Sequence, residues 1–416
     1  MLKFMGADAY RLGISWSRLF PEGSGTVNQE ALDFYNKFID LLIQNGITPF
    51  VTLFHFNVPV ALQKKYDGFL SDNIVADYAN FADTCFKNFG DRVKHWVTFN
   101  EPQVWSVYGY KTKMTAKDDP TRNPYIVAHN IIVSHATVVK NYRENYQGSQ
   151  GGEIGMSLST QWNMPYENSP EHIDACGRAW DFHFGWFAEP MIAGDYPFIM
   201  KALVRDRLRA FTTEEKELIK GSCDFIGINY YTSRFAQALP IDTTVDVPTS
   251  YDKDQYLNAL STNSSGESIG PTSSGSSQIN VYPAGIRDVL RHTKNHYKSP
   301  KIYITENGYP TARNDKNPTW KELEDDDRIE FIESHLRNVR DAQRIDGVDV
   351  NGYLVWALMD NVEWGSGYNV RFGLSFIDYN NDLMRYPKKS AKWLRDFNME
   401  DKETNGSVTS TTTSTE

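Results

Sequence analysis

The sequence predicts a parallel α/β fold, and three observations carry that reading. Seven apolar, strand-like runs recur along the chain; amphipathic helical segments separate them; and 416 residues with 40% hydrophobic content suffice for one large core. The runs are ADAYRLGISW (7–16), TPFVTLFHF (48–56), HWVTFNEP (95–102), EIGMSLSTQW (153–162), DFIGINYYT (224–232), KIYITENG (301–308) and NGYLVWALMD (351–360). Most are apolar on both alternating faces, the pattern of strands covered on both sides by helices.

The helices between them carry their own signals. Asn28 is placed to cap a helix bearing Leu32, Phe34, Tyr35, Phe38, Ile39, Leu42 and Ile43 on its apolar side, stopped by Gly46. Ser71 is the expected cap of the next, which Gly90 ends. Thr212 and Glu215 have capping-box spacing. Residues 325–345 predict a charged helix with Ile329, Ile332, Leu336, Val339 and Ala342 on one face. Residues 241–279, rich in Ser, Thr, Asp, Gly and Asn, read as a long surface loop; NMEDKETNGSVTSTTTSTE at the end reads as polar and disordered. There is no internal repeat.

A closed barrel of βα units needs eight strands, and the chain offers seven. The first run is preceded only by MLKFMG, which reads as the end of a helix whose earlier turns, and the strand before them, are missing.

A formal charge of −10 without a basic block argues against nucleic acid or an anionic membrane surface and for a small neutral or cationic ligand. Aromatic residues make up 13%, including ten Trp, which suits ring stacking on sugars as well as a large core. Cys85, Cys176 and Cys223 are few, odd in number and far apart, so they read as reduced thiols. No apolar run approaches a membrane span, and the N-terminus lacks the apolar core of a signal peptide; the chain is therefore expected in the cytoplasm or nucleus, with the sequons at Asn263 and Asn405 unused. No metal or cofactor is called for.

Two glutamates stand out. Glu101 ends HWVTFNEP and Glu306 ends KIYITENG, each within an apolar strand and each followed by a turn-forming Pro or Asn-Gly. Residues at the C-terminal ends of barrel strands converge on one face. Glycoside hydrolysis uses such a pair, set about 5–5.5 Å apart in retaining enzymes. Taken singly, either Glu is more readily a loop cap or the partner of a surface cation.

TFNEP (98–102) and ITENG (304–308) resemble the acid/base and nucleophile signatures of family 1 glycoside hydrolases. YRLGISWSRLFP (10–21), DFIGINYYT (224–232), VYPAGIRDVL (281–290) and GYLVWALMDNVEWGSGYNVRFGLSFIDY (352–379) resemble the same family, in the same order. The likeness is closest to plant β-glucosidases, a group that includes alkaloid-glucoside hydrolases. It implies a TIM (β/α)8 barrel over residues 1–398, lacking its first strand, with 399–416 as the polar tail. It also implies retaining hydrolysis of β-D-glucosides of plant secondary metabolites.

By position the resemblance makes Glu306 the nucleophile and Glu101 the acid/base. Asn100 would bind the sugar 2-hydroxyl, His55 another hydroxyl, Glu363 the far side of the ring with Trp364 beside it, and Trp356 would stack on the sugar face. Arg11 and Tyr231 would keep Glu306 ionised, and Asn229 belongs to the same motif set. Outside the motifs each has a plainer reading: Arg11 as partner of a buried acid, His55 as a core histidine, Trp356 and Trp364 as core aromatics, Asn229 and Tyr231 as packing residues. Myrosinase-type relatives carry Gln at the Glu101 position, and relatives acting on phosphorylated sugars carry a basic or hydroxyl cluster near Glu363. EWGSGY lacks that cluster, so an unphosphorylated O-glucoside is expected.

Three departures stand against the resemblance. The opening strand, with its sugar-binding Gln, is absent; Glu101 and Glu306 end the third and sixth strands, where the family has them on the fourth and seventh. The family's His-Trp-Asp step reads His55-Phe56-Asn57. The loop in GYKTKMTAKDDPTRNPYIVAHN (109–130) is short and lacks the usual Gly-, Pro- and Cys-containing segment. A missing strand leaves two unpaired edges and removes a layer of core side chains, a loss of roughly 2–5 kcal/mol per large side chain. Hence two alternatives stand beside the active glucosidase: an impaired truncated isoform that self-associates or joins and modulates full-length relatives, and a sugar-binding protein without turnover.

Overall fold

The structure, a computed structural model, describes residues 1–109, 119–242 and 249–409. Its described strands are β1 (Ala9–Gly13), β2 (Thr48–Phe54), β3 (His95–Asn100), β4 (Glu153–Pro165), β5 (Phe225–Ala238), β6 (Leu257–Leu260), β7 (Ile302–Asn307), β8 (Thr311–Ala312), β9 (Val350–Val355), β10 (Val370–Arg371), β11 (Ser375–Asp378) and β12 (Met384–Pro387). Hydrogen bonding runs in the order β1-β2-β3-β4-β5-β7-β9, and every pairing along that path is parallel. These seven strands coincide with the seven apolar runs. They form a nearly closed α/β barrel, and among the described residues β1 and β9 pair with no strand on their outer edges.

Burial follows from that order. From its second residue onward every position of β2 and of β3 is buried, whereas β9 has no buried residue and β1 has only Leu12. The barrel floor is filled by Phe50, Val97 and Phe225, with Tyr303 and Leu354 against them. Phe50, Phe225 and Tyr303 meet edge to face at 5.1–5.7 Å, a geometry favoured by the ring quadrupoles. A solid aromatic floor leaves the opposite, C-terminal end of the strands as the open one.

Asn28 caps the helix Gln29–Gln44 by accepting from the Glu30 N–H. The Thr212/Glu215 capping box forms at the helix Thr213–Ile219. The helix expected from Ser71 begins one residue later: Asp72 holds the cap position of Asn73–Phe89, while Ser71 Oγ accepts from the Asn73 N–H at 3.3 Å. On the helix Asp326–Arg344 the buried face carries Arg328 and His335 as well as Phe331, Ile332, Val339 and Ala342, with Ile329 and Leu336 only half-buried.

The segment 241–279 is not one plain loop. Within it β6 adds antiparallel to the far end of β5, and bridges join Thr262 to Ser268 and Thr272 to Asn280; residues 243–248 of that reading lie outside the described ones. So do 110–118 of the short loop after β3 and 410–416 of the tail, while the last helix, Lys389–Thr409, runs through the start of the stretch read as disordered. The three cysteines are free, Cys85 among the buried residues. Among the described residues no helix is long and apolar enough to cross a membrane.

Candidate active site

The strand ends converge as a parallel barrel requires. Asn100 is the last residue of β3 and Glu101 follows it, Asn229 pairs with Glu306 across β5 and β7, and Trp356 follows β9. The Glu101 backbone turns sharply, with φ 44°, and Pro102 at once starts a short helix. A non-glycine residue in this left-handed region is held there by its surroundings, and here the turn faces the carboxyl into the barrel mouth.

The side chains form one bonded chain. Arg11 donates Nη1–H to Glu306 Oε1 and Nη2–H to Asn100 Oδ1, both at 2.6 Å. Asn229 Nδ2 donates to Asn100 Oδ1 at 3.1 Å and to Glu101 Oε1 at 2.9 Å. The Tyr231 hydroxyl donates to Glu306 Oε2 at 2.9 Å. Glu101 and Glu306 are thus linked through Asn229, Asn100 and Arg11. Since Asn100 Oδ1 accepts twice, its Nδ2 must be the donor to His55 Nε2 at 3.0 Å. His55 is therefore a neutral imidazole with its proton on Nδ1, and burial with the nearby Arg11 pushes its pKa down to about 3.

The two carboxyl groups differ in environment. Glu306 is 4% exposed and receives both a guanidinium and a phenol. Glu101 receives one amide; burial first, then the Glu306 charge, raise its pKa to about 8 against the opposing Asn229 bond and Arg11 charge. A third carboxyl, Glu363, is raised to about 7, again by burial first, with the Trp356 indole N–H opposing and the Glu306 charge adding to it. The arrangement sets a proton-bearing acid opposite an ion-paired carboxylate, which is what acid-assisted displacement at a sugar carbon requires.

Aromatic rings wall the chamber. His55 lies 5.8 Å from Trp356 and 5.4 Å from Trp364, ring centre to ring centre. Phe56 stacks on Trp105 at 5.7 Å and meets Trp364 at 4.9 Å, so the ring that replaces the family's indole still joins an aromatic wall. Asn57 turns inward: its Oδ1 accepts from the His55 backbone N–H at 3.1 Å.

Every sequence-predicted site residue lies at this mouth, and the structure adds three that the motifs did not single out. Thr52 Oγ accepts from Arg11 Nε at 3.0 Å, and Thr305 Oγ donates to Asn229 Oδ1 at 2.6 Å, so each threonine orients a residue that touches a carboxyl group. Asp360 is 3% exposed; it pairs with Arg371 at 2.6 Å and Lys388 at 2.9 Å, and accepts from the Gly373 N–H at 3.0 Å. It anchors the segment between Trp356 and Glu363. A lone Thr in a strand, or an Asp in a loop, carries no signal until the fold supplies its partner.

The sequence model described as Glycosyl hydrolase family 1 matches residues 1–403. The chain is 47% identical to β-glucosidase 24 of Oryza sativa subsp. japonica over 412 residues, covering 95% of the chain and 81% of that relative. It is 44% identical to raucaffricine-O-β-D-glucosidase of Rauvolfia serpentina, over 95% of the chain and 78% of that protein. A solved structure of a rice β-glucosidase mutant in a covalent complex with glucose superposes with a TM-score of 0.92 at 40% identity, covering 94% of this chain and 84% of that one.

Proposed function

The chain belongs to glycosyl hydrolase family 1 and is a β-glucosidase in type, and from that premise we propose that it hydrolyses β-D-glucosides with retention, Glu306 attacking and Glu101 serving first as acid and then as base. The observation that carries this reading is the bonded chain from Glu101 through Asn229, Asn100 and Arg11 to Glu306, with a guanidinium on Glu306 and a raised pKa at Glu101.

In the first step a Glu306 oxygen attacks the anomeric carbon, the bond from that carbon to the aglycone oxygen breaks, and the Glu101 proton passes to the departing oxygen. Arg11 and Tyr231 bond the two oxygens of Glu306 and hold the carboxylate in place. Once Glu306 is esterified, the like charge beside Glu101 is gone and its carboxyl ionises more readily. In the second step Glu101 takes a proton from water, the water oxygen attacks the anomeric carbon, and the ester to Glu306 breaks. Two inversions leave the β configuration.

The sugar contacts follow the same map. Asn100 has a second Nδ2–H for the 2-hydroxyl, His55 presents Nδ1–H, Glu363 accepts from hydroxyls at the far side of the ring, and Trp356 and Trp364 supply apolar faces. Beyond the sugar, Phe56 and Trp105 form an aromatic wall that suits the apolar aglycones of plant secondary metabolites, alkaloids among them. The Rauvolfia relative, named for an alkaloid glucoside, supports that class. The test is product stereochemistry: proton NMR of p-nitrophenyl β-D-glucoside hydrolysis should show β-glucose first, with the α anomer growing in only by mutarotation. Early α-glucose would overturn the double displacement.

A further inference from the structure

The turn that carries Glu101 is held partly by main chain and partly by a side chain from far away in sequence. Glu101 sits at φ 44°, Pro102 after it has no N–H to give, and a helix of three residues, Pro102–Val104, follows. The Glu101 N–H donates to the Ser157 carbonyl at 2.8 Å, and the Glu101 carbonyl accepts from the Trp105 N–H at 3.1 Å. Between these bonds lies Gln103, 4% exposed, which donates Nε2–H to the Tyr251 hydroxyl at 3.0 Å. That hydroxyl in turn donates to the Phe182 carbonyl at 3.0 Å. Its one proton is thus committed, so the Gln103 amide must be the donor.

Tyr251 is itself firmly placed. Its ring stacks on Trp186 at 5.3 Å and 20°, and meets Phe182 at 6.0 Å. At the other end of the same short helix, Tyr251–Asp254, the Asp254 carboxylate accepts from Arg207 through both oxygens at 2.7 Å, from the Tyr125 hydroxyl at 2.5 Å and from the Thr249 hydroxyl. Burial raises the Tyr251 pKa, so the phenol keeps its proton. A packing role would need only the ring, whereas the hydroxyl is what reaches the Glu101 segment. Gln103 Oε1 is buried and has no partner among the described residues. A half-satisfied buried amide is disfavoured against an apolar side chain of the same shape, so the bond to Tyr251 is what distinguishes Gln103 from a plain packing residue.

We propose that Tyr251 is a positioning residue for Glu101: through Gln103 its hydroxyl fixes the turn that aims the acid/base carboxyl, while Asn229 fixes the carboxyl itself. The inference rests on the role given to Glu101 above. The test compares the full chain with Tyr251→Phe, which keeps the ring and removes the hydroxyl, on two glucosides. Phenyl β-D-glucoside needs a proton on its leaving oxygen; 2,4-dinitrophenyl β-D-glucoside does not. Tyr251→Phe should lower kcat/KM about tenfold on the phenyl glucoside, part of the roughly 100- to 10,000-fold that a general acid supplies. On the dinitrophenyl glucoside kcat/KM should stay unchanged while kcat falls, since only the second step then needs Glu101, as base. Gln103→Met removes the other half of the same bond and should give the same pattern, and the double variant should be no worse than either single one. Thermal unfolding checks that each variant folds, and Gln103→Met decides the question if Tyr251→Phe does not. Equal losses on both substrates, or no loss on the phenyl glucoside, overturn the proposal. Glu101→Gln is the reference. If it depends on the leaving group and Tyr251→Phe does not, the positioning role alone fails; if it does not either, the acid/base reading fails with it.

Discussion

Two carboxyl groups that share one chamber repel each other when both are charged, and here burial and that repulsion fall on Glu101. Glu306 takes the cation and the phenol; Glu101 takes one amide and keeps its proton to about pH 8. Activity that needs the Glu101 proton should therefore be flat below that value and fall above it. A pH series of kcat/KM on an aryl β-glucoside reads the limb directly, and a profile still rising at pH 9 would contradict the assignment. Glu101→Gln should lower kcat/KM about 100- to 10,000-fold on substrates with poor leaving groups. The same shift has a stability sign. A carboxyl whose folded pKa is raised contributes stability that is complete below its unfolded value, near pH 4, and is lost as pH rises towards about 8. Glu101→Gln should thus unfold at a higher temperature than the parent at pH 8, with the gap closing near pH 4. The two glutamates and the residues around them were legible because they sit in unbroken motifs at strand ends. Thr52 and Thr305 were not, because a hydroxyl that orients Arg11 or Asn229 is defined by a neighbour far away in sequence.

The elements are set by simple rules that the sequence displays, and they deviate where a distant partner intervenes. The cap at Asn28 and the capping box at Thr212 need only residues within one turn and were readable. β6 pairs with the far end of β5, and the buried Arg328 answers Asp325 and the carbonyls of Tyr309 and Arg371, so neither is visible in a local window. The segment after β9 depends most on such partners. Asp360→Ala would leave Arg371 and Lys388 buried without their carboxylate and should cost about 3–5 kcal/mol, measured by denaturant unfolding. Gly308 allows β7 to pass the carbonyl of Trp356: an added Cβ would lie 1.9 Å from that oxygen. Gly308→Ala should therefore displace Trp356 and raise KM even in protein that still folds, whereas an unchanged KM would show that the backbone yields without moving the ring.

At the scale of the whole molecule, the parallel order of seven strands turns scattered motifs into one site, and the same order leaves two edges open. The strand count was readable from seven apolar runs. The aromatic mouth is likewise a product of the assembled barrel, joining Phe56, Trp105 and Trp364. Phe56→Ala should raise KM for glucosides with large aromatic aglycones more than for methyl β-D-glucoside, and equal changes for both would remove Phe56 from the aglycone wall. The most direct test of the account is covalent capture: incubate the full chain with 2,4-dinitrophenyl 2-deoxy-2-fluoro-β-D-glucoside and map the adduct by peptide mass spectrometry. The account predicts one fluoroglucosyl group per chain, esterified to Glu306; a label on any other side chain, or none while the parent glucoside is turned over, would contradict it.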